Sequence, residues 1–292
     1  MNLVMSKKPT RPRRDPATNG DGFPRGQNLP SQSPLFWVEQ KDRYLRQLLI
    51  RDIEEITGRR LIVYFSNRYL VGSDIQPRDI SFLAEVLGDS NQVPIDILLE
   101  TNGGQTDATE SLISTVQSVA PDFRVIVANA AKSNGTLLAL AARSIVMGAT
   151  SELGPIEPSL GDIPCSILDT PEIARTNFPL HMMGKFALQQ SRSLATKLLG
   201  AGMMASCSPE DIERTVEALA SRTRFPSHGS VVDHREAVEL GLSVEYLPPD
   251  DDLWGKLWLL YCMYDFDSRQ GRLLKMFEGR SRSLSIAAPP AA

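Results

Sequence analysis

Apolar positions along this chain follow two rhythms. From Arg43 to Thr57, Tyr44, Leu45, Leu48, Leu49 and Ile53 fall at helical spacing, and Gly58 ends the run. Arg60–Phe65 is a short continuous apolar run and predicts a strand. Asp79–Leu87 predicts a helix stopped by Gly88, and Pro94–Leu99 a second strand broken by Asn102-Gly103-Gly104. A helix over Asp107–Val119, a strand over Arg124–Ala128, an Ala- and Leu-rich buried helix over Ser133–Arg143 and a short strand over Ser144–Met147 follow. This strand–helix alternation from 60 to 148 predicts a parallel sheet with helices on its faces and reactive loops beyond the carboxyl ends of the strands.

Beyond it, Gly154–Thr170 is rich in Pro and Gly and predicts a loop, and Leu180–Leu199 and Pro209–Arg222 predict helices. His234–Leu240 predicts a short helix ended by Gly241, then an extended Ser243–Leu247. Leu253–Phe277 predicts a last long helix, and Ser281–Ala292 a frayed end.

Composition narrows the function classes. The 292 residues include 42% hydrophobic and 23% charged side chains, which excludes a mostly disordered chain. The net charge of −4 argues against a nucleic-acid binder that neutralises phosphates broadly. Residues 1–33 hold six basic side chains against two acidic ones, a surplus of +4 that leaves −8 for the remainder. This Pro-, Gly-, Asn- and Ser-rich stretch reads as a disordered solubilising arm. Cys165, Cys207 and Cys262 show neither metal spacing nor a disulfide framework, which fits a reducing cytoplasm. No apolar h-region follows the first basic residues, and no uncharged apolar run reaches about 18 residues; Leu253–Phe266 comes nearest and contains Lys256 and Asp265.

Two loops carry candidate chemistry. Thr101-Asn102-Gly103-Gly104 follows a strand directly, and paired glycines let a backbone N–H turn towards a ligand. Ala131-Lys132-Ser133-Asn134-Gly135-Thr136 lies at a strand-to-helix turn, where a serine faces the free N–H groups of a helix start. A serine there is most often a cap, and a Gly-Gly turn is most often structural. Together they can supply a nucleophile and an oxyanion hole.

The sequence from Arg43 to Leu247 resembles the serine dehydrogenase proteinase family, a branch of the group that holds signal peptide peptidase A and the proteolytic subunit of the Clp protease. The motifs are Ile95-Asp96-Ile97-Leu98-Leu99 leading to Asn102-Gly103-Gly104, and Lys132-Ser133-Asn134-Gly135-Thr136-Leu137 continuing to Ala142. Ile145-Val146-Met147-Gly148, Glu152-Leu153-Gly154-Pro155-Ile156-Glu157-Pro158, Ser227-His228-Gly229 and Arg235–Leu242 complete the set. Gly104 and Ser133 stand 29 residues apart, as in this superfamily.

The resemblance implies an α/β fold of the ClpP/crotonase type, with repeated βαβ units, a parallel sheet and a helical C-terminal region. It implies Ser133 as nucleophile and the N–H groups of Gly104 and Asn134 as oxyanion donors. Lys185, 52 residues after Ser133, matches the base of the Ser-Lys relatives, with Lys197 as a spare. A lysine base must be desolvated, because its ordinary pKa is ~10.4; Phe178, Met182, Met183 and Phe186 could provide that setting. A Clp-type histidine would fall near Ile156, where none stands, whereas His228 lies near the third catalytic position and is the alternative base, an orienting group or a loop cap. His181 and His234 have weaker claims. Asn102 replaces a usual proline, Asn134 replaces a usual small residue, and the membrane anchor of signal peptide peptidases is missing.

The expected activity is a cytoplasmic serine-type endopeptidase without metal or cofactor. Its partners would be a peptide or protein substrate and further copies of itself in a homo-oligomer, with no nucleic acid. The alternatives are an acyl-CoA-processing crotonase relative using Glu152 or Glu157, and a catalytically inactive assembly subunit. The expected organisation is a basic tail over 1–33, a peptidase domain over 34–250, a C-terminal helix over 251–280 and a flexible tail over 281–292.

Overall fold

The apolar runs form strands because both of their faces are covered. The computed structural model describes residues 34–88, 90, 93–161 and 163–290, so the expectation of a disordered tail over 1–33 lies outside the described residues. The chain falls into two units, residues 1–44 and 45–292. The first contributes α1 (Pro34–Glu39) and the opening turn of α2 (Lys41–Thr57) to the described residues.

The sheet of the second unit is built from β1 (Arg60–Ser66), β2 (Ile95–Glu100), β3 (Phe123–Val127), β5 (Ile145–Met147), β9 (Val244–Tyr246), β10 (Leu273–Glu278) and β11 (Ser283–Ala287). The spatial order is β11-β10-β1-β2-β3-β5-β9. The five strands from β1 to β9 run parallel, and β10 and β11 add antiparallel to the β1 edge. Period-2 alternation divides β1 and β2 between two cores. Ile62, Tyr64, Ile97 and Leu99 join the layer of α3 (Asp79–Leu87), α4 (Thr106–Val119), α5 (Asn134–Leu140), α8 (Phe178–Ala201) and α9 (Pro209–Ala220). Leu61, Val63, Phe65 and Leu98 face α2 and α11 (Asp252–Gln270). The result is a mixed α/β fold dominated by a parallel sheet, with a helix among its C-terminal elements.

Short elements complete the unit, and of these the helix over His234–Glu239 was expected. β4 (Ala130–Ala131) pairs in parallel with β6 (Glu152–Leu153), and β7 (Ser159–Leu160) forms a hairpin with β8 (Ile163–Pro164). α6 (Cys165–Leu168) and α7 (Pro171–Thr176) lead into α8. α10 (His234–Glu239) precedes β9, and Gly241 at φ +84° turns the chain between them.

The C-terminal end differs from the sequence expectation. The last helix stops at Gln270 instead of Phe277. Gly271 and Arg272, the latter at φ +47°, reverse the chain, and Leu273–Glu278 joins the sheet as β10. The expected frayed end instead holds β11, whose Ser-Leu-Ser-Ile-Ala alternation is that of an edge strand. An apolar run such as Leu273–Phe277 fits helix and strand equally, and the open edge of β1 decides between them. Tyr264 of α11 donates to the buried Glu278 of β10 at 2.7 Å, which fixes helix to strand. No helix among the described residues is long and apolar enough to cross a membrane.

α11 also meets the sheet at Gly148. A β-carbon there would lie 2.3 Å from the Trp254 ring. Gly148→Ala should therefore destabilise the protein by about 1–3 kcal/mol through overpacking, read as a lower urea midpoint at unchanged m-value.

Candidate active site

The two loops singled out in the sequence meet at the carboxyl ends of β2 and β3. Thr101 N–H donates to Ala130 O, and Lys132 N–H to Thr101 O, each at 3.0 Å, so the loops run side by side. Glycine is required at each close approach. A β-carbon on Gly103, at φ +99°, would lie 2.9 Å from the Ser133 β-carbon, and one on Gly135 would lie 2.5 Å from Thr101 Cγ2.

Ser133 has φ +52° and ψ −118°. A non-glycine residue in that region is strained by roughly 1–3 kcal/mol. It stands at the cap position of α5 but makes no capping hydrogen bond. Its hydroxyl has no partner among the described residues. The ordinary explanation for a serine at a helix start is therefore not realised. Neither the Gly104 nor the Asn134 backbone N–H has an acceptor among the described residues. Strained turn, free hydroxyl and the free Asn134 N–H thus coincide at the start of α5, where the dipole favours negative charge, and the free Gly104 N–H lies on the adjoining loop.

Asn134 and Asn102 both tie the loops down. Asn134 Nδ2 crosses to Gly104 O at 2.5 Å and to Thr106 Oγ1 at 3.3 Å, and its Oδ1 is buried without a partner. Asn102 accepts from Arg68 Nε at 2.6 Å and donates to Arg68 O at 2.9 Å.

Charges close the site from behind. Lys132 is buried, and its Nζ lies 3.0 Å from Leu153 O, 3.2 Å from Ser230 O and 3.0 Å from Glu152 Oε2. Burial pushes its amine below the ordinary lysine range, against the pull of Glu152. Arg68 bridges Glu152 at 3.8 Å to Glu100 at 3.3 Å. Burial pushes the Glu100 carboxyl up to about 7, although Ala130 N–H, the Asn129 amide and Arg68 all favour its charged form. Nothing local in the sequence points to Arg68, Glu100 or the anchoring role of Lys132. They are far apart along the chain, and no spacing signals them.

His228 comes to this cluster, held by its loop. Val232 pairs with Leu153 in both directions, at 2.9 and 3.1 Å, and Lys132 holds Ser230 O. Burial pushes the half-buried imidazole below its ordinary value; Glu157 opposes the shift, and Arg222 and Lys132 add to it. Its Nδ1 is buried without a hydrogen-bond partner, so no carboxylate completes a Ser-His-Asp relay. Lys185, by contrast, is exposed on α8, with no hydrogen bond or ion pair among the described residues.

The remaining candidates are occupied elsewhere. Lys197 is exposed and lines a groove with Asp107 and Glu110. His181 Nδ1 sits 3.1 Å from Leu168 O, and His234 stacks on Tyr246 at 4.1 Å. Glu157 is buried, held by Arg222 Nε at 2.7 Å and Ser166 N–H at 3.1 Å. Among the described residues no group of three or more His, Cys, Asp or Glu is placed to hold a metal.

A family model described as ClpP-like SDH-type serine proteinase matches residues 81–251, more than half of the chain. The chain belongs to the SDH-type serine proteinase family. Two uncharacterised proteins of Methanocaldococcus jannaschii are similar to this proteinase-family chain. The first is 30% identical over 165 residues, 54% of this chain and 56% of the relative. The second is 36% identical over 78 residues, 26% of this chain and 27% of the relative. The chain thus spans about half, or less, of the curated relatives it matches. Among solved structures, a mutant ClpP1 from Listeria monocytogenes is similar at 15% identity and a TM-score of 0.45, over 72% of this chain and 99% of that one.

The electrostatics of this family member are testable without substrate. His228 should titrate below ~6.5 in an NMR experiment, and Lys132→Met should raise its value by removing a nearby cation. Because the folded-state value is depressed, the unfolded chain binds the extra proton first. The contribution of His228 to stability, read as the difference between wild type and His228→Ala, should be full above ~6.5 and be lost as pH drops from there through the folded-state value.

Proposed function

We propose that the chain is a serine peptidase in which Ser133 is the nucleophile and the Gly104 and Asn134 N–H groups form the oxyanion hole. The observation that carries this reading is the uncapped Ser133 at φ +52°, pressed against Gly103. Ser133 Oγ attacks the peptide carbonyl carbon as a base removes its proton. The oxyanion forms against the two N–H groups, the C–N bond breaks, and the base returns the proton to the leaving amine. Water then cleaves the acyl-enzyme by the reverse use of the same groups.

His228 is the base this reading prefers. Its depressed proton affinity keeps the imidazole neutral at pH 7, and its loop is anchored to the residue before Ser133. A second reading retains Lys185 and the Ser-Lys dyad of signal peptide peptidase A. Phe178, Met183 and Phe186 are exposed on the same helix, and a homo-oligomer covering that face would desolvate the amine. The buried, fully paired Glu157 and the ion-paired Glu152 weigh against the acyl-CoA alternative.

A fluorophosphonate with intact-mass detection tests the nucleophile: one adduct on the wild type, none on Ser133→Ala, and a fall of more than about 10³-fold in peptide hydrolysis. Labelling equal in both removes the assignment. His228→Ala should lower kcat/KM by about 10²–10⁴-fold, and Lys185→Ala should leave it within about threefold. With His228 as base, kcat/KM should level off near pH 7; a continued rise to pH 9 transfers the role to Lys185. Glu100→Gln serves as the control, since Glu100 itself titrates at about 7.

A further inference from the structure

A second set of buried charges bears on the Gly104 loop from outside the stretch 81–251. Lys275 on β10 and Asp79 at the start of α3 are both fully buried, with Nζ 2.5 Å from Oδ2. The ammonium also donates to Asp74 O at 2.5 Å. The same carboxylate oxygen accepts from Gln76 N–H and from Tyr64 OH, each at 2.8 Å. Asp74 and Gln76 flank Ile75, so the pair grips that residue from both sides.

Ile75 in turn holds the glycines. Its N–H donates to Gly103 O at 2.8 Å, and its carbonyl accepts from Gln105 N–H at 2.9 Å. The approach is so close that a β-carbon on Gly104 would lie 2.3 Å from Ile75 N. A shift of the 74–76 segment therefore moves Gly104 directly.

We infer that the Asp79–Lys275 pair positions the Gly104 N–H through Ile75. The pair touches no reacting atom; it is a positioning pair, and its importance for catalysis rests on the reading of Gly104 as an oxyanion donor. Charge pairs in a core are poor devices for stability alone, because apolar residues of similar volume hold the same elements as well or better. What apolar residues cannot do is donate to Asp74 O and accept from Gln76 N–H. Those bonds fix the backbone of a loop that has no regular structure of its own.

Two double variants of the full chain separate the roles. Asp79→Leu with Lys275→Met removes the hydrogen bonds while leaving no charge uncompensated. Asp79→Asn with Lys275→Gln removes the charges while keeping donors and acceptor. In the Leu/Met variant, with Tm within a few degrees of wild type, the Ile75 and Gln105 amides should exchange at least about tenfold faster. There kcat on a fluorogenic peptide should fall about 10–100-fold with KM within about threefold. The Asn/Gln variant should keep wild-type exchange and most of kcat. Equal exchange in the two variants overturns the inference. If the Leu/Met chain does not fold, Gln76→Pro deletes one donor and spares the ion pair; faster exchange at Gln105 supports the inference and wild-type exchange overturns it. Exchange is read without substrate, so its result stands even if fluorophosphonate labelling disproves the nucleophile.

Discussion

The site depends on a crossing of two backbone segments with no room for a β-carbon between them. Gly103 touches the Ser133 turn, Gly135 touches Thr101, and Gly104 lies against Ile75. Close-packed backbone leaves few ways to adjust, since a shift at one contact is a clash at the next. This crossing explains why a serine can be held at φ +52°. The strain is local, and the surrounding contacts over-determine it. Thr136 adds to the constraint: its hydroxyl donates to Ala131 O and accepts from Gly154 N–H, which ties the first turn of α5 to β4 and to the residue after β6.

Around this crossing, charge is used to fix loops that lack regular hydrogen bonding. Lys132 joins β6 to the Ser227–Ser230 loop. Arg68 joins Glu100, Asn102 and Glu152, and so reaches from the glycine loop to the partner of Lys132. A buried charge without its partner is costly, so each member holds the next in place. The apolar layers on the two faces of the sheet fix the elements, and the polar network fixes the loops between them.

Much of the fold was legible in the sequence. Asp79–Leu87 is a helix with the boundaries expected from its periodicity, and the other strands and helices from 60 to 148 fall within a few residues of expectation. Gly58 and Gly241 take the positive φ that ends their helices. The misreading of Leu273–Phe277 as helix came from a run whose pattern serves either form. Ser133 and the Gly103-Gly104 turn, proposed here as nucleophile and oxyanion loop, stood out in the sequence because each lies on a short contiguous loop beside a strand or helix end, with Gly104 and Ser133 29 residues apart. The sequence offered Lys185 and His228 as bases without a choice that burial could inform, because burial is not a local property. Lys185 is exposed whereas His228 is half-buried beside Lys132, and neither condition is written in local sequence.

The sequence by itself determined what short-range physics controls: which segments are helix or strand, where glycine must stand, and which serine lies at a helix start. Tertiary structure alone decided what long-range contact controls. It left Ser133 uncapped, brought His228 beside Lys132 across 96 residues, and set Lys275 against Asp79 across 196. Periodicity records only the face a residue presents. Desolvation and charge pairing depend on which distant segment comes to cover that face.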